Sequence, residues 1–223
     1  MNRTLLESEE GTHTVMCEVA GETFQSLSGP LKESMHIFIH NGLMKCLMKN
    51  KKLSILEIGF GSGLNALLTM KYLDSINGVA EYTATELYPL DMNLISQINY
   101  FNYIDRKYRN AYFNLHTSSW NEWINLESLK FKKIQCDCSK TVPEGPYDLI
   151  YFDAFSADAD PAIWTGEVFR MIYNQMKEDG VLIIKSSGKE LIETLNNIGY
   201  ETEVSIDESL KIEILVATKL STR

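Results

Sequence analysis

The sequence has no long hydrophobic run, and this absence limits the kinds of protein that it can encode. None of its apolar runs approaches the roughly 20 residues that a membrane-spanning helix needs. The first ten residues lack the apolar core of a secretory signal. We therefore expect a cytoplasmic protein with no membrane association.

Cysteine is also scarce, with four residues in a chain of 223. Cys17, Cys46, Cys136 and Cys138 are spread along the chain without a Cys-x-x-Cys pair, which is typical of free thiols in a reducing compartment. Cys136 and Cys138 are predicted to share one face of a strand, where the geometry disfavours a disulfide. Two ligands are also few for a metal, so no metal is expected there.

Histidine offers no better metal site. His36 and His40 lie four residues apart on a predicted helix, but no third ligand is near in sequence and no Glu-x-x-His accompanies them. A half-exposed helix face explains the pair, and no metal is expected.

Positive charge is in deficit, because 21 basic residues face 30 acidic ones and the formal net charge is −9. This balance argues against a protein coated in basic surface for nucleic acid. Local basic patches remain possible, although such clusters are more often solvated faces than binding sites. The basic clusters are Lys45, Lys49, Lys51 and Lys52; Arg106, Lys107 and Arg109; and Lys130, Lys132 and Lys133.

The most informative pattern that is present is a glycine-rich stretch near residue 60. An apolar run rich in β-forming residues, Leu53 to Ile58, is followed at once by Gly59, Gly61 and Gly63, and then by the helix-forming run Leu64 to Leu73. This order predicts a strand, a tight glycine turn and a helix. Glycines let a ligand lie against the main chain, and the helix N-terminus offers unpaired N–H groups.

The spacing of this stretch, Glu-x-Gly-x-Gly-x-Gly from Glu57, differs from the Gly-x-Gly-x-x-Gly of dinucleotide folds, and no P-loop Gly-Lys-Ser/Thr follows. The stretch resembles the first motif of class I S-adenosylmethionine-dependent methyltransferases. That cofactor carries an ammonium and a sulfonium but no phosphate, so a carboxylate at Glu57 suits it. A glycine turn that merely packs helix on strand is the alternative.

From Leu53 onward, predicted strands and helices alternate, which indicates a mostly parallel sheet in one α/β domain. Strands are predicted at 53–58, 81–87, 113–117, 132–138, 148–153, 180–186, 201–206 and 211–218. Helices are predicted at 31–48 (broken at Asn41-Gly42), 64–73, 89–104, 164–176 and 189–198. Residues 1–28 are predicted to form a β-hairpin or two short strands, with Gly21 near the turn.

Acidic residues follow three of the predicted strands. Ligands bind beyond the carboxyl ends of strands in open α/β sheets, so Glu86, Asp137 and Asp153 are candidate ligand contacts. Glu86 lies about 20 residues beyond the glycine turn, where an acid can hold a ribose diol; a solvated strand end is the alternative. Asp137 can approach an adenine amino group or be a simple loop acid. Asp153 is expected beside the glycine turn.

Three stretches together resemble the MnmC-like methyltransferases of tRNA wobble-uridine modification. They are residues 21–43, with Gly21-Glu-Thr-Phe-Gln-Ser and Glu33-Ser-x-His; residues 57–65; and residues 152–165, which open with Phe152-Asp-Ala-Phe-Ser. The chain departs from the family pattern at Gln25, where a His is usual, and at 208–213, where Glu-Ser-Leu-Lys-Ile-Glu replaces a Gly-Lys-Arg-type signature.

The resemblance implies the fold and the organisation of the chain. We expect a Rossmann-like class I methyltransferase, with a mostly parallel seven-stranded sheet that ends in an antiparallel hairpin. Residues 1–50 form an N-terminal β-hairpin and helix extension packed on the main domain, residues 51–223. The family's domain is often fused to a flavin-dependent oxidase, and this chain is expected to be the stand-alone form.

The resemblance also implies an activity: methyl transfer from S-adenosylmethionine to the primary amine of 5-aminomethyl-(2-thio)uridine in the anticodon stem-loop of tRNA. The enzyme is expected to be a monomer that acts after a separate enzyme makes the aminomethyl precursor. Asp153 is the candidate that orients the amine, and Phe155 the candidate that walls the site and stacks on the base. Trp164 is expected to do that or plain core packing. The cofactor-binding candidates are Glu57, Gly59, Phe60, Gly61, Gly63, Asn65, Glu86, Asp137 and Asp153.

Three other functions are also compatible with these sequence features. An aminopropyltransferase of the spermidine-synthase type uses a similar sheet and a similar acidic strand end on a free amine. A small-molecule N-methyltransferase and a non-catalytic cofactor-binding module are the others.

Overall fold

The computed structural model of the protein describes residues 2–50, 52–186, 188–207 and 212–221. Lys51 of the first basic cluster and residues 208–211 of the altered C-terminal signature lie outside the described residues. The chain forms an eight-stranded main sheet with helices on both faces, and a separate three-stranded antiparallel sheet at the N-terminus. The Rossmann-like α/β fold class is confirmed.

The eleven described strands are numbered in chain order. They are β1 Arg3–Glu7, β2 His13–Cys17, β3 Glu22–Thr23, β4 Lys52–Ile58, β5 Val79–Thr85, β6 Ile124–Leu126, β7 Leu129–Ile134, β8 Tyr147–Phe152, β9 Met176–Ile184, β10 Tyr200–Asp207 and β11 Ile212–Lys219. The main sheet has the order β10-β11-β9-β8-β4-β5-β7-β6. Its centre, from β9 to β7, is parallel, and β10, β11 and β6 pair antiparallel.

The helical segments are numbered in the same way. The α-helices are α1 Pro30–Ser34, α2 Lys45–Leu47, α3 Leu64–Ser75, α4 Met92–Gln97, α5 Arg109–Thr117, α6 Gly166–Asn174 and α7 Lys189–Ile198. A π-helix, Met35–Met44, joins α1 to α2, and 3₁₀ turns occur at Tyr100–Asn102, Arg106–Tyr108 and Pro161–Trp164.

The sheet has eight described strands where the resemblance implied seven, because the short strand β6 adds to its edge. The prediction of a strand at 113–117 was wrong, since these residues end helix α5. The aromatic and β-branched composition of that stretch favours a strand. The buried positions Ala111, Tyr112 and Leu115, however, are spaced one and three residues apart, as on one face of a helix.

Two helix predictions also need correction. Asn41-Gly42 does not break the helical segment, which continues through it as the π-helix while the Asn41 side chain donates to the His36 carbonyl at 3.0 Å. The helix predicted at 89–104 is confined to α4. There Ile98 takes an extended conformation, and Asn99 accepts a hydrogen bond from the backbone N–H of His13 in β2 at 2.8 Å.

The N-terminal hairpin is confirmed, with Gly21 at the turn between β2 and β3. Its three strands dock on the main sheet's loops, partly through Asn99, whose amide also donates to the Gly11 carbonyl at 2.8 Å. The division of the chain at residue 50 stays a prediction.

The core lies on both faces of the main sheet, because its central strands are buried on both sides. Alternate residues of β8 show this: Leu149 and Tyr151 face the layer of α3 and the π-helix, while Ile150 and Phe152 face the layer of α6 and α7. With both faces covered, the carboxyl edge of the parallel strands is the place left for a ligand.

Gly42 lies where the π-helix packs closely against this sheet. A Cβ at residue 42 would lie 3.1 Å from Cγ1 of Ile183 and 3.4 Å from side-chain atoms of Leu149 and Tyr151, all fully buried. We expect Gly42→Val to lower the free energy of unfolding by about 1–3 kcal/mol through overpacking. Urea denaturation measures this, with Gly166→Val at the less crowded start of α6 as the control. Equal losses in the two variants would contradict it.

Candidate active site

A cleft of about 860 Å³ opens at the carboxyl ends of the parallel strands. Its wall combines the glycine turn, the loops after β5, β7, β8 and β9, and the N-terminal strand β3. Among the predicted site residues, those that line it are Gly59, Gly61, Glu86, Asp137, Asp153 and Phe155. Strand ends that are far apart in sequence therefore meet in one cavity, as the parallel order requires.

Gly59 fixes the closest approach in this cleft, because β4 and β8 are parallel neighbours. Its φ is +92°, and a Cβ there would lie 2.2 Å from the backbone carbonyl oxygen of Asp153. A side chain at residue 59 would therefore be strained and would push the β8 loop away. The glycine brings the turn and Asp153 into contact.

Glu86 ties the glycine turn to the end of β5. One carboxylate oxygen accepts the backbone N–H of Gly61 at 2.8 Å, and the other accepts the backbone N–H of Tyr88 at 2.8 Å. The carboxylate is half-buried on the cleft wall and keeps further lone pairs. An acid held in this way can accept hydrogen bonds from a vicinal diol.

Glu57 lies behind the lining of the cleft and is fully buried. Burial raises the pKa of this carboxyl well above its ordinary value, and the nearby charge of Asp153 adds to the effect; the side chains of Tyr82 and Asn65 act in the opposite direction. Neither oxygen has a hydrogen-bond partner in the described structure. A buried acid without a hydrogen-bond partner is rare in proteins, so Glu57 is a candidate contact for a bound group.

Asp153 is half-buried at the carboxyl end of β8, and one of its oxygens accepts a hydrogen bond from the Asn65 amide at 2.7 Å. Burial raises the pKa of Asp153 to about 7, with a smaller push from Glu33. Asn65 and Lys185 oppose the shift. At neutral pH this carboxyl is therefore close to its own titration point, which an ordinary aspartate is not.

Two residues that the sequence did not single out contribute to this environment. Glu33 in α1 is 4% exposed, and one of its oxygens lies 2.8 Å from Nζ of Lys185, which follows β9. The pairing leaves Lys185 partly neutralised beside Asp153. Lys185 follows a parallel strand, so strand-end logic could have found it, but nothing in the sequence pairs it with Glu33.

Phe155 lines the cleft in the loop after β8 and is half-buried. Its ring lies 5.5 Å from that of Phe24 in an edge-to-face contact. The indole N–H of Trp164 donates to the Phe155 carbonyl at 2.7 Å and so holds this loop. Trp164 also packs on Phe152 and Phe169 in the core. It lines the cleft and supports the core at once.

Asp137 faces the cleft in the loop after β7. Its carboxylate accepts the backbone N–H and the hydroxyl of Ser139, and lies 2.7 Å from Nζ of Lys140. These contacts, Lys140 first, lower the pKa of Asp137, which stays charged. A fixed acceptor at this position suits an exocyclic amino group.

Three of the other predicted site residues lie behind the cleft surface. Phe60 is 5% exposed and packs on the rings of His116 and Phe131. Gly63 caps the start of α3 with a φ of +73°. Asn65 is buried and reaches the cleft through Asp153. Contact of Phe60 or Gly63 with a ligand would therefore involve the backbone.

The basic clusters are not gathered around the cleft. Lys133 is 3% exposed and donates to the His116 carbonyl, and Lys130 pairs with Glu81 at 3.2 Å. Among the described lining residues, the cations are Arg3 and Lys185. Across the described ranges, three or more metal-ligating side chains do not cluster, and none of the helices is long and apolar enough to cross a membrane.

Comparisons with known proteins show the family of the chain. Residues 100–220 match the model of a family described as S-adenosyl-L-methionine-dependent methyltransferase. The matched span contains Asp137, Asp153 and Phe155, but not the glycine turn. More than half of the chain is covered by this match.

Three similar proteins extend the comparison. An uncharacterized protein of Methanocaldococcus jannaschii is 29% identical over 88% of this chain and 54% of its own length. The bifunctional protein MnmC of Leptospira interrogans, named for tRNA 5-methylaminomethyl-2-thiouridine biosynthesis, is 24% identical over 92% of this chain and 34% of its own. The crystal structure of MnmC2 from Aquifex aeolicus superposes with a TM-score of 0.82 at 23% identity, covering 99% of this chain and 72% of that one. The chain thus spans between a third and about half of the curated relatives.

The raised pKa of Asp153 makes stability depend on pH. In the unfolded chain the carboxyl titrates near 3.8, and in the fold near 7, so the folded state binds the proton more tightly. Stability should fall as pH rises between these values and level off above them. We expect Asp153→Asn to remove part of this slope, so that the variant loses less thermal stability than the parent between about pH 5 and about pH 8.

Melting temperatures across this range measure the effect. Asp160→Asn makes the same chemical change at an exposed position of the cleft and should leave the slope as it is. Parallel curves for the parent and Asp153→Asn would show that Asp153 titrates normally.

Proposed function

Since the chain belongs to the S-adenosyl-L-methionine-dependent methyltransferase family, we propose that it methylates the primary amine of 5-aminomethyl-(2-thio)uridine at the tRNA wobble position. Its cofactor is S-adenosylmethionine, and its chemistry is methyl transfer. The observation that carries the proposal is Asp153, held by Asn65 at the carboxyl end of β8 in a cleft that also contains the glycine turn.

The residues of the cleft fit this cofactor. S-adenosylmethionine, when bound, supplies a methyl group on a sulfonium that an amine lone pair can attack. The two cations that line the described cleft are engaged, Arg3 with the Tyr88 and Pro89 carbonyls and Lys185 with Glu33. A phosphate-bearing cofactor would lack a free cation here, whereas an ammonium and a sulfonium suit the acids.

The site residues take up roles that follow from their positions. Glu86 would hold the ribose hydroxyls, and Asp137 the adenine amino group. The backbone of Gly59 and Gly61 would lie against the cofactor, and Glu57 would act from behind the turn as a hydrogen-bonding group rather than as a charge. Phe60, Gly63 and Asn65 shape the turn and orient Asp153.

Asp153 acts on the amine of the substrate. An alkylamine has a Lys-like pKa of about 10 and is mostly protonated at neutral pH, whereas the nucleophile is the neutral amine. A carboxylate stabilises the ammonium, so the main role of Asp153 is to accept a hydrogen bond and aim the lone pair. Its pKa of about 7 also makes it a better proton acceptor than an ordinary aspartate.

Burial is the main cause of this raised pKa, and Glu33 and Lys185 adjust it in opposite directions. A free ammonium beside Asp153 would lower the pKa of the carboxyl, and the ion pair with Glu33 offsets that charge. The N-terminal segment therefore takes part in tuning the acid at the reaction centre.

Two observations support a tRNA substrate. The names of several relatives place those proteins in tRNA 5-methylaminomethyl-2-thiouridine biosynthesis. In the cleft, Phe155 and its neighbour Phe24 offer aromatic surface on which an unstacked anticodon base can pack. We expect the enzyme to act in the cytoplasm, as a monomer, after another enzyme has made the aminomethyl group.

The proposed role of Glu86 predicts a defect in cofactor binding. Glu86→Ala removes the carboxylate for the ribose and the acceptor for two backbone N–H groups, so the Kd for S-adenosylmethionine should rise roughly 10- to 100-fold. Glu81→Ala, on the same strand but paired with Lys130, should change it by less than about twofold. Calorimetry measures both, and an unchanged Kd in Glu86→Ala would remove Glu86 from the cofactor site.

The substrate is tested with tRNA that bears 5-aminomethyl-2-thiouridine and S-adenosylmethionine labelled in the methyl group. We expect label in this tRNA, none in tRNA without the aminomethyl group, and no aminopropyl transfer to putrescine from decarboxylated S-adenosylmethionine. Asp153→Ala should reduce transfer at least about 100-fold because the amine is no longer aimed. Its Kd for the cofactor should stay within about threefold.

The alternatives give different results in the same assay. Product from putrescine would indicate an aminopropyltransferase, and methylation of small amines alone a small-molecule enzyme. If Asp153→Ala loses cofactor binding and transfer together, Asp153 is a cofactor residue. Asp160→Ala is the matched control and should retain activity.

A further inference from the structure

Two cysteines face each other at the cofactor end of the cleft. Cys136 and Cys138 follow β7 in a loop rather than sharing a strand face, and their Sγ atoms lie 3.7 Å apart. Both line the cleft. The prediction that they share one face of a strand was therefore wrong, and both are free thiols in this structure.

The two thiols are not equivalent. Cys138 is 6% exposed, and its Sγ donates to the Thr85 hydroxyl at 3.3 Å, which in turn donates to the Glu57 carbonyl at 3.0 Å. Cys136 is only half-buried and can be reached from the cleft. The hydrogen bond with Cys138 lowers the pKa of the Cys136 thiol, and the pKa of Cys138 is raised. Cys136 is thus the nucleophile, and Cys138 the second thiol behind it.

The two cysteines lie next to residues of the proposed cofactor site, so a change in the pair can affect that site. Asp137, the proposed adenine contact, lies between the two cysteines, and Thr85 ends the strand that leads to Glu86. A disulfide bond is about 2.05 Å long, so closing it from 3.7 Å brings the two sulfurs more than about 1.5 Å closer together. Because the two cysteines flank Asp137, we expect the backbone around Asp137 to shift when the bond closes.

We propose that Cys136 and Cys138 form an oxidation-sensitive dithiol whose closure weakens cofactor binding. The Cys136 thiolate attacks the terminal oxygen of a hydroperoxide, and the O–O bond breaks. This gives a sulfenic acid at Cys136 and releases water or an alcohol. The Cys138 sulfur then attacks the sulfenic sulfur, an S–S bond forms, and water leaves with the Cys138 proton. Overall the protein loses two hydrogens and the peroxide is reduced. A dithiol reductant reverses the change.

The test uses the full chain treated with a small excess of hydrogen peroxide and then alkylated with iodoacetamide. Peptide mass analysis should find 136 and 138 in one peptide that has lost two hydrogens and carries no alkyl group. Calorimetry should then show a Kd for S-adenosylmethionine that is roughly tenfold higher or more. Dithiothreitol should restore the original Kd, and cofactor added before peroxide should slow the oxidation.

Matched variants separate this site from general thiol damage. Cys136→Ser and Cys138→Ser should each bind cofactor equally before and after peroxide, whatever their starting Kd. Cys46→Ser removes a buried thiol whose pKa is raised to about 12 and should keep the full response. Circular dichroism confirms folding, and Cys136→Ser, at the more exposed position, gives the result if Cys138→Ser does not fold.

Two outcomes would overturn the proposal. One is oxidation of Cys136 to sulfinic acid, or to a mixed disulfide when oxidised glutathione replaces peroxide, without the 136–138 bond. The other is a 136–138 disulfide that leaves the Kd unchanged. Because the readout is cofactor binding, neither outcome depends on whether tRNA is the substrate.

Discussion

The contact between the glycine turn and the end of β8 is the constraint on which the site depends. Because β4 and β8 are parallel neighbours, Gly59 and Asp153 follow strands that end side by side. The 2.2 Å that separates a Cβ at residue 59 from the Asp153 carbonyl leaves room for hydrogen alone. The backbone N–H of Asp153 also donates to the Ile58 carbonyl at 2.9 Å. The glycine turn and Asp153 therefore form one closely packed unit.

Acids in this unit lose contact with water, and the structure accommodates each of them in a different way. Glu57 and Asp153 are desolvated, and their pKa values rise, because burial disfavours the charged form. Glu86 instead is half-buried and accepts two backbone N–H groups. The acids of one cleft thus differ in their burial and in their hydrogen-bond partners. Under the proposed function, charged acids of the cleft would add affinity for a cationic cofactor, and Asp153, with its pKa of about 7, would act on the amine.

The rule that ligands bind beyond the carboxyl ends of parallel strands predicted the cleft well, because it relies on local sequence and sheet topology. Glu86 and Asp153 each follow a recognisable strand, and parallel pairing brings them together. The helix at 109–117 was missed because composition favoured a strand while packing of Tyr112 and Leu115 decided the outcome. The Glu33–Lys185 pair was also missed. Its partners lie on a helix and just after a strand, far apart in sequence, and no periodicity encodes such a contact.

The N-terminal sheet forms part of the cleft wall, and it also shows how the departure at Gln25 is accommodated. Gln25 is 5% exposed, and its backbone N–H and carbonyl both bond to the Thr14 hydroxyl at 3.1 Å. Residue 25 is thus held by the hairpin, while its neighbour Phe24 reaches Phe155 and Gly61. Under the proposed function, substrate choice would then depend on how β2 and β3 place Phe24, more than on the polar group at residue 25. Because Phe24 also packs against Gly61, a change in the N-terminal sheet would be felt at the glycine turn as well.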